Sequence, residues 1–205
     1  MRIAVLGGSF NPIHIGHLFL ADEVCTRLGY DRVYFVLANI PPHKELAQGA
    51  STEQRLEMLQ VAIKDDPRFQ AETCEIQRGG ISYTYDTLQF LGNRDGNIID
   101  GKFGLIMGDD LIEGFESWHN YSQLPEIADI IVAHRMTQGM AGAKELPFHY
   151  KHTRLTNSVL PVSSSGIRDN IKIDKNTDKG SWRYLVPKEI YQYIIQRRLY
   201  GYGNT

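Results

Sequence analysis

The chain has 205 residues, 42% of them hydrophobic, which is enough to bury a sizeable core in one compact unit. Its formal net charge of −2, with acidic and basic residues spread along the sequence, excludes a general footprint for macromolecular nucleic acid and leaves phosphate binding to local features. The start, Met1 to Phe10, lacks the pattern of a secretory signal, no stretch approaches the roughly 18 to 20 apolar residues that cross a bilayer, and Cys25 and Cys74 belong to no CxxC or Cys/His array. The expectation is a cytoplasmic protein with no membrane partner, no disulfide framework and no structural zinc.

In chain order, Arg2 to Gly8 is a short apolar run ending in two glycines, a buried strand entering a tight turn. From Ile15 to Leu28 the apolar residues Leu18, Phe19, Ala21, Val24, Cys25 and Leu28 recur at helical spacing, and Gly29 is a good terminator. Arg32 to Leu37 is β-branched and aromatic, so a strand, helix, strand unit closes there. A loop carries Pro41-Pro42-His43-Lys44, and Ser51-Thr-Glu-Gln54 has capping-box spacing, opening a helix through Leu56, Leu59 and Ile63.

Phe103 to Met107 and Ile127 to Ala133 read as further buried strands with helical stretches between them. The segment 174–180 is polar and reads as an exposed loop, whereas 137–160 carries no informative motif. Pro187 opens a last helix expected to run to about Leu199, before Gly201. Alternating strands and helices predict an α/β fold with a Rossmann-like, doubly wound parallel sheet. The whole chain, 1–205, is expected to be a single domain with a small C-terminal helical part over about 161–205. No repeat or low-complexity tract is present.

The strongest chemical signal is Gly7-Gly8-Ser9-Phe10-Asn11-Pro12-Ile13-His14-Ile15-Gly16-His17, placed between the first strand and the first helix. Ligands of open α/β sheets sit beyond the carboxyl ends of strands, where free amides at a helix N-terminus favour an anion. His14 and His17 are three residues apart, so in one helical turn they face the same way and can both donate to one phosphate chain. GxxxxGK[ST] and GxGxxG are both absent. Near the other end, Val162-Ser163-Ser164-Ser165-Gly166-Ile167-Arg168 reads as a helix start at which a serine can cap and Arg168 can fork onto phosphate oxygens.

These two strings resemble GxFxPxHxGH and [IV]SSTxIR, the paired motifs of the HxGH nucleotidyltransferase superfamily. The chain is further similar to bacterial nicotinate mononucleotide adenylyltransferases over nearly its whole length. Asn39-Ile-Pro-Pro-His-Lys44 is similar to that family's nxxPPHK loop, Ile81-Ser-Tyr83-Thr84-Tyr-Asp-Thr-Leu88 to SYTxDTL, and Gly108-Asp-Asp110 with Trp118 and His119 to GxDxxxxxxxW. Arg135 stands at the family's RPG turn, though Pro and Gly do not follow it; Ser165 stands where Thr is usual, Asn11 and Ile13 where Asp and Pro are commoner, and His119 where Tyr is frequent.

The resemblance implies transfer of the adenylyl group of ATP to nicotinate mononucleotide, with Mg²⁺ accompanying ATP and no metal site built by the protein. It implies His14, His17, Arg168 and Lys44 as stabilisers of the reacting phosphates. ATP would meet Gly8, Ser9, Phe10, His14, His17, Gly108, Asp110, Arg135, Ser163, Ser164, Ser165, Ile167 and Arg168. The mononucleotide would meet Asn39, Lys44, Tyr83, Thr84, Asp110, Trp118 and His119, with Trp118 stacked on the pyridine ring. A phosphopantetheine adenylyltransferase, a cytidylyltransferase or a non-catalytic nucleotide-binding regulator could carry the same two motifs on the same fold. Oligomeric state is left open, a homo-oligomer included.

Overall fold

The computed structural model describes residues 1–42, 49–135, 148–174 and 180–203. β1 (Ile3–Gly8) leads into α1 (Ile15–Leu28) and β2 (Arg32–Leu37), with the bounds of α1 and β2 as the sequence predicts them. Gly29 ends α1 in the left-handed conformation, its amide donating to the Cys25 carbonyl. α2 (Thr52–Ile63) opens on the expected capping box: the Ser51 hydroxyl accepts from the Gln54 amide at 3.2 Å, and the Gln54 side chain accepts from the Ser51 amide at 2.9 Å.

The chain continues through β3 (Phe69–Glu72), α3 (Cys74–Arg78), α4 (Thr84–Asp95), β4 (Phe103–Gly108), α5 (Leu124–Ile127), β5 (Ala128–Ala133), β6 (His152–Leu155), α6 (Ser164–Asp174) and α7 (Lys188–Gln196). Among the described residues these strands form one sheet in the order β3-β2-β1-β4-β5-β6, every adjacent pair parallel. The expected doubly wound parallel fold is therefore present. Its direction of winding reverses between β1 and β4, which leaves a crevice beyond their carboxyl ends.

Side-chain alternation along the strands builds a core on each face. Ala4 and Leu6 of β1 join Val33, Phe35, Met58, Leu59, Ile167, Ile171, Ile190 and Ile194, so α2, α6 and α7 are anchored in one core. Ile3 and Val5 face Tyr34, Leu88, Leu91, Leu105, Met107 and Phe115 on the other side. Both cysteines are free and buried, and burial pushes the Cys25 thiol up to about 11 and the Cys74 thiol up to about 12, as befits inert packing residues.

Three features depart from the sequence reading. β3 and β6 have four residues each and carry no continuous apolar run, yet pairing with β2 and β5 makes them the two sheet edges. α3 lies in a stretch with no predicted element. The last helix ends at Gln196 rather than Leu199, because Arg198 and Tyr200 take left-handed backbone angles that turn the chain inward. The Tyr200 hydroxyl then donates to Asn11 Oδ1 at 2.7 Å, tying the C-terminal turn to the first motif. Of the predicted loop at 174–180, Asp174 ends α6, and 175–179 lie outside the described residues.

Candidate active site

A cavity of about 420 Å³ opens at the crevice beyond β1 and β4. One wall is the β1 to α1 turn, with Gly8, Ser9, Phe10, Asn11, His14 and His17; another is the start of α6, with Ser163, Ser164, Ser165 and Arg168. Asp110, Trp118 and Arg135 close it from the β4 and β5 ends, and Pro41, Pro42, Ser82, Thr84, Thr87 and Glu75 from the remaining side. A second, smaller hollow shares Gly7, His14, His17 and Arg135 and continues along Gly108, His134 and residues 157–160.

His14 precedes α1 in an extended conformation and His17 sits in its first turn. Their rings stack at 3.6 Å, and the His14 amide donates to His17 Nδ1 at 3.3 Å. Burial, reinforced by the Arg135 charge, lowers the His14 pKa to about 3; burial, then His14 and Arg135, hold His17 well below its ordinary value. Both imidazoles are neutral at pH 7, so each offers an N–H without a charge of its own. His14 is 3% exposed and its Nδ1 has no partner among the described residues. Gly16 permits this packing, since a Cβ there would stand 2.7 Å from Val162 Cγ1 and 3.1 Å from His14 Nδ1.

The second motif locks onto the first. Ser164 Oγ donates to the Pro12 carbonyl at 2.9 Å and Arg168 Nη1 to the Asn11 carbonyl at 2.7 Å, bridging 152 and 157 positions of sequence. Ser163 Oγ accepts from the Gly166 amide at 3.1 Å as a cap, and Arg168 Nη2 donates to Ser165 Oγ at 3.2 Å. Ile167 does not reach the cavity; it is buried in the core and fixes the helix face that presents Arg168.

Arg135 reaches the site without a following Pro-Gly. Its amide donates to Asp109 Oδ1 at 2.9 Å and its Nη1 to Asp110 Oδ2 at 3.3 Å. His134 Nδ1 bonds Asp109 Oδ2 at 2.5 Å, and its amide donates to Asn157. At Gly108 a Cβ would stand 2.1 Å from Asp110 Oδ1 and 2.6 Å from Arg135 Cδ, so any larger residue would displace this pair. Gly108 borders the smaller hollow rather than the main cavity.

The remaining side is a hydrogen-bonded junction of three segments. The Asn39 amide donates to Ser82 Oγ at 2.9 Å, Asn39 Nδ2 to the Gly80 carbonyl at 2.9 Å, and the Ser82 amide to the Ile40 carbonyl at 2.8 Å. Asn39 thus holds the junction together and is absent from the main cavity wall. Tyr83 precedes α4 and its ring lies 4.5 Å from that of His119; both stand outside the wall, whereas Thr84 is on it. Trp118 is half-buried, packed on Phe115 at 5.5 Å, with the rest of its indole on the cavity. Lys44 lies outside the described residues.

Two residues of this region were not singled out by the sequence. Glu75, 6% exposed, lines the cavity; its Oε1 accepts from the Thr87 hydroxyl at 2.6 Å, and Ser82 supplies a further side-chain hydrogen bond. Burial raises its pKa, the hydroxyl donors opposing that rise. Arg55 in α2 sits behind the wall and holds two of its carbonyls. A lone Glu in a five-residue helix and an Arg within an amphipathic one give no motif; only the fold reveals their neighbours.

Among the described residues no helix is long and apolar enough to cross a membrane. A family model described as cytidylyltransferase-like matches residues 5–170. A protein of Treponema pallidum (strain Nichols) named as a probable nicotinate-nucleotide adenylyltransferase is 40% identical, over 98% of this chain and 99% of that protein. One of the same name from Synechococcus is 38% identical over 97% and 96%. The solved nicotinic acid mononucleotide adenylyltransferase of Plasmodium falciparum, complexed with NaAD, superposes with a TM-score of 0.71 at 20% identity, covering 98% of each chain, a likeness of fold. With its HxGH turn, its Ser-rich α6 start and its full-length relatives, the chain belongs to the cytidylyltransferase-like nucleotidyltransferases, within the nicotinate-nucleotide adenylyltransferase family.

Proposed function

We infer that this cavity transfers the adenylyl group of ATP to nicotinate mononucleotide, giving nicotinate adenine dinucleotide and pyrophosphate. The observation that carries the reading is the stacked, neutral His14 and His17 pair at the N-terminus of α1, in the same cavity as the α6 start with Ser163, Ser164, Ser165 and Arg168. Imidazole N–H groups, a guanidinium, serine hydroxyls and a helix N-terminus together suit a polyphosphate chain.

An oxygen of the mononucleotide 5′-phosphate attacks the α-phosphorus of ATP in line; a new P–O bond forms there as the bond to the β-phosphate oxygen breaks. The nucleophile is already anionic, so no general base is needed, and the residues align the chains and disperse charge. His14, His17 and Arg168 would face the transferring and leaving phosphates, with Ser163 to Ser165, Gly8, Ser9 and Phe10 beside them. Lys44 is assigned to the incoming phosphate on the strength of the resemblance alone. Asp110 and Arg135, already paired, would meet the nucleotide sugar and adenosine. Trp118 offers its face to the electron-poor pyridine ring, and the α4 start at Thr84 its amides to the ring's carboxylate.

Magnesium fits as an ion that arrives on ATP. The cavity's donors are mostly imidazole, hydroxyl and guanidinium, with Asp110 and Glu75 as separate carboxylates, and Mg²⁺ readily keeps phosphate oxygens and water as ligands. When bound, it neutralises charge on the phosphate oxygens.

The test is pyrophosphate release from Mg·ATP with nicotinate mononucleotide, nicotinamide mononucleotide and phosphopantetheine as separate acceptors. A dominant kcat/KM for nicotinate mononucleotide is expected. Activity with phosphopantetheine alone would overturn the substrate, and binding of ATP without turnover of any acceptor would turn the reading toward a regulator.

A further inference from the structure

Arg55 is 1% exposed, yet among the described residues its hydrogen-bond partners are all neutral. Its Nη1 donates at 2.9 Å to the Ser9 carbonyl and at 2.9 Å to the Ala38 carbonyl, and its Nη2 at 3.1 Å to Thr52 Oγ1. Glu53, two positions earlier in α2, is exposed and its carboxylate accepts from the Ser51 hydroxyl. Burying a charge without a paired carboxylate is costly, and a fold that keeps one has a use for it.

Its position suggests that use. Ser9 and Ala38 are on the cavity wall, at the ends of neighbouring strands β1 and β2, whereas Arg55 is not on the wall. The two carbonyl oxygens that Arg55 holds are therefore drawn behind the wall. A carbonyl dipole turned toward a phosphate would repel it; one turned away leaves the field of the guanidinium and of the backbone amides.

We propose that Arg55 is a positioning residue for the polyphosphate: it withdraws the Ser9 and Ala38 carbonyls from the cavity and keeps a fixed positive charge behind the wall, for which the bound phosphate chain is the counter-ion. The proposal rests on the reading that the cavity takes ATP. It places part of the phosphate site in α2, 46 residues from Ser9 and outside both motifs.

The experiment measures calorimetric binding of magnesium pyrophosphate and, separately, of adenosine to the full chain and to Arg55→Met and Arg55→Lys. Loss of the charge in Arg55→Met is expected to weaken pyrophosphate binding about tenfold or more and adenosine less than about twofold. Arg55→Lys, which keeps the positive charge and a donor, is expected to restore pyrophosphate binding to within about threefold of the natural chain. Equal weakening of both ligands, or no weakening of pyrophosphate, overturns the proposal, as does a folded Arg55→Lys that binds pyrophosphate no better than the Met variant. If Arg55→Met does not fold, Arg55→Gln, which keeps a donor for the carbonyls and removes the charge, is judged by the same criteria. Failure of the natural chain itself to bind pyrophosphate would refute the functional reading, and the proposal with it; that result is distinct from normal binding which the variants leave undisturbed.

Discussion

The two ends of the cavity are built in different ways. At the phosphate end, two contiguous strings of sequence supply nearly the whole wall, and each makes its own local geometry: a strand, a turn with Gly16 at a close contact, and helix starts at α1 and α6. At the other end, residues from three segments are held by hydrogen bonds among Asn39, Ile40, Gly80, Ser82, Glu75 and Thr87, and Trp118 comes from a fourth. Local geometry makes a phosphate site portable from one nucleotidyltransferase to another. A junction of separate segments is where members of the fold can differ in acceptor.

The largest effect should come from breaking the phosphate end. His17→Ala removes the N–H proposed to face the reacting phosphates and is expected to lower kcat on the order of 10²- to 10³-fold with the fold retained. Single-turnover rates near those of the natural chain would remove His17 from phosphate stabilisation. Breaking the junction should instead cost stability first. Glu75→Ala leaves the buried Thr87 hydroxyl without its acceptor, for about 1–3 kcal/mol by chemical denaturation, and raises the KM for the mononucleotide; Glu75→Gln, which keeps an acceptor, should recover most of both. An unchanged KM in a stable Glu75→Ala would separate the junction from substrate binding. Smaller still is Trp118→Ala, expected to raise the mononucleotide KM about tenfold while the KM for ATP moves little. Equal changes in the two constants would overturn the stacking assignment.

The same contrast governs what the sequence makes legible. α1 and β2 have their predicted bounds, and Ser51 caps α2 as its spacing requires, because periodicity and capping are local codes. β3 and β6 escape prediction because each is a four-residue edge strand of mixed burial whose partner, not its own pattern, makes it a strand. The end of α7 escapes because a tertiary bond, from Tyr200 to Asn11, outweighs helix propensity. Within the site, His14, His17 and Arg168 are readable from motifs. Glu75 and Arg55 are not, since their roles lie in what they touch across 12 and 46 residues. Asn39, read as a substrate contact, also bonds Ser82 and Gly80 across the junction, and the side chain of Ile167, read within the second motif, packs in the core.

The smallest effect sharpens the comparison, because it tests whether the phosphate end is electrically as described. Burial, more than any charge, depresses both imidazoles, His14 to about 3, whereas in the unfolded chain a His titrates near 6.5. Between those values the unfolded state binds more protons than the folded one, so the sign is fixed: the stability contribution is fully present above about pH 6.5 and is lost as pH falls. At pH 6.0 the loss from His14 alone should be about 0.8 kcal/mol. Denaturant titrations of the natural chain and of His14→Asn at pH 7.5 and 6.0 measure it, the variant losing less by that amount. Identical losses would mean that His14 titrates in the folded protein as it does in the unfolded chain, and a larger loss in the variant would mean that His14 is charged in the folded protein; either overturns the neutral donor at the phosphate end.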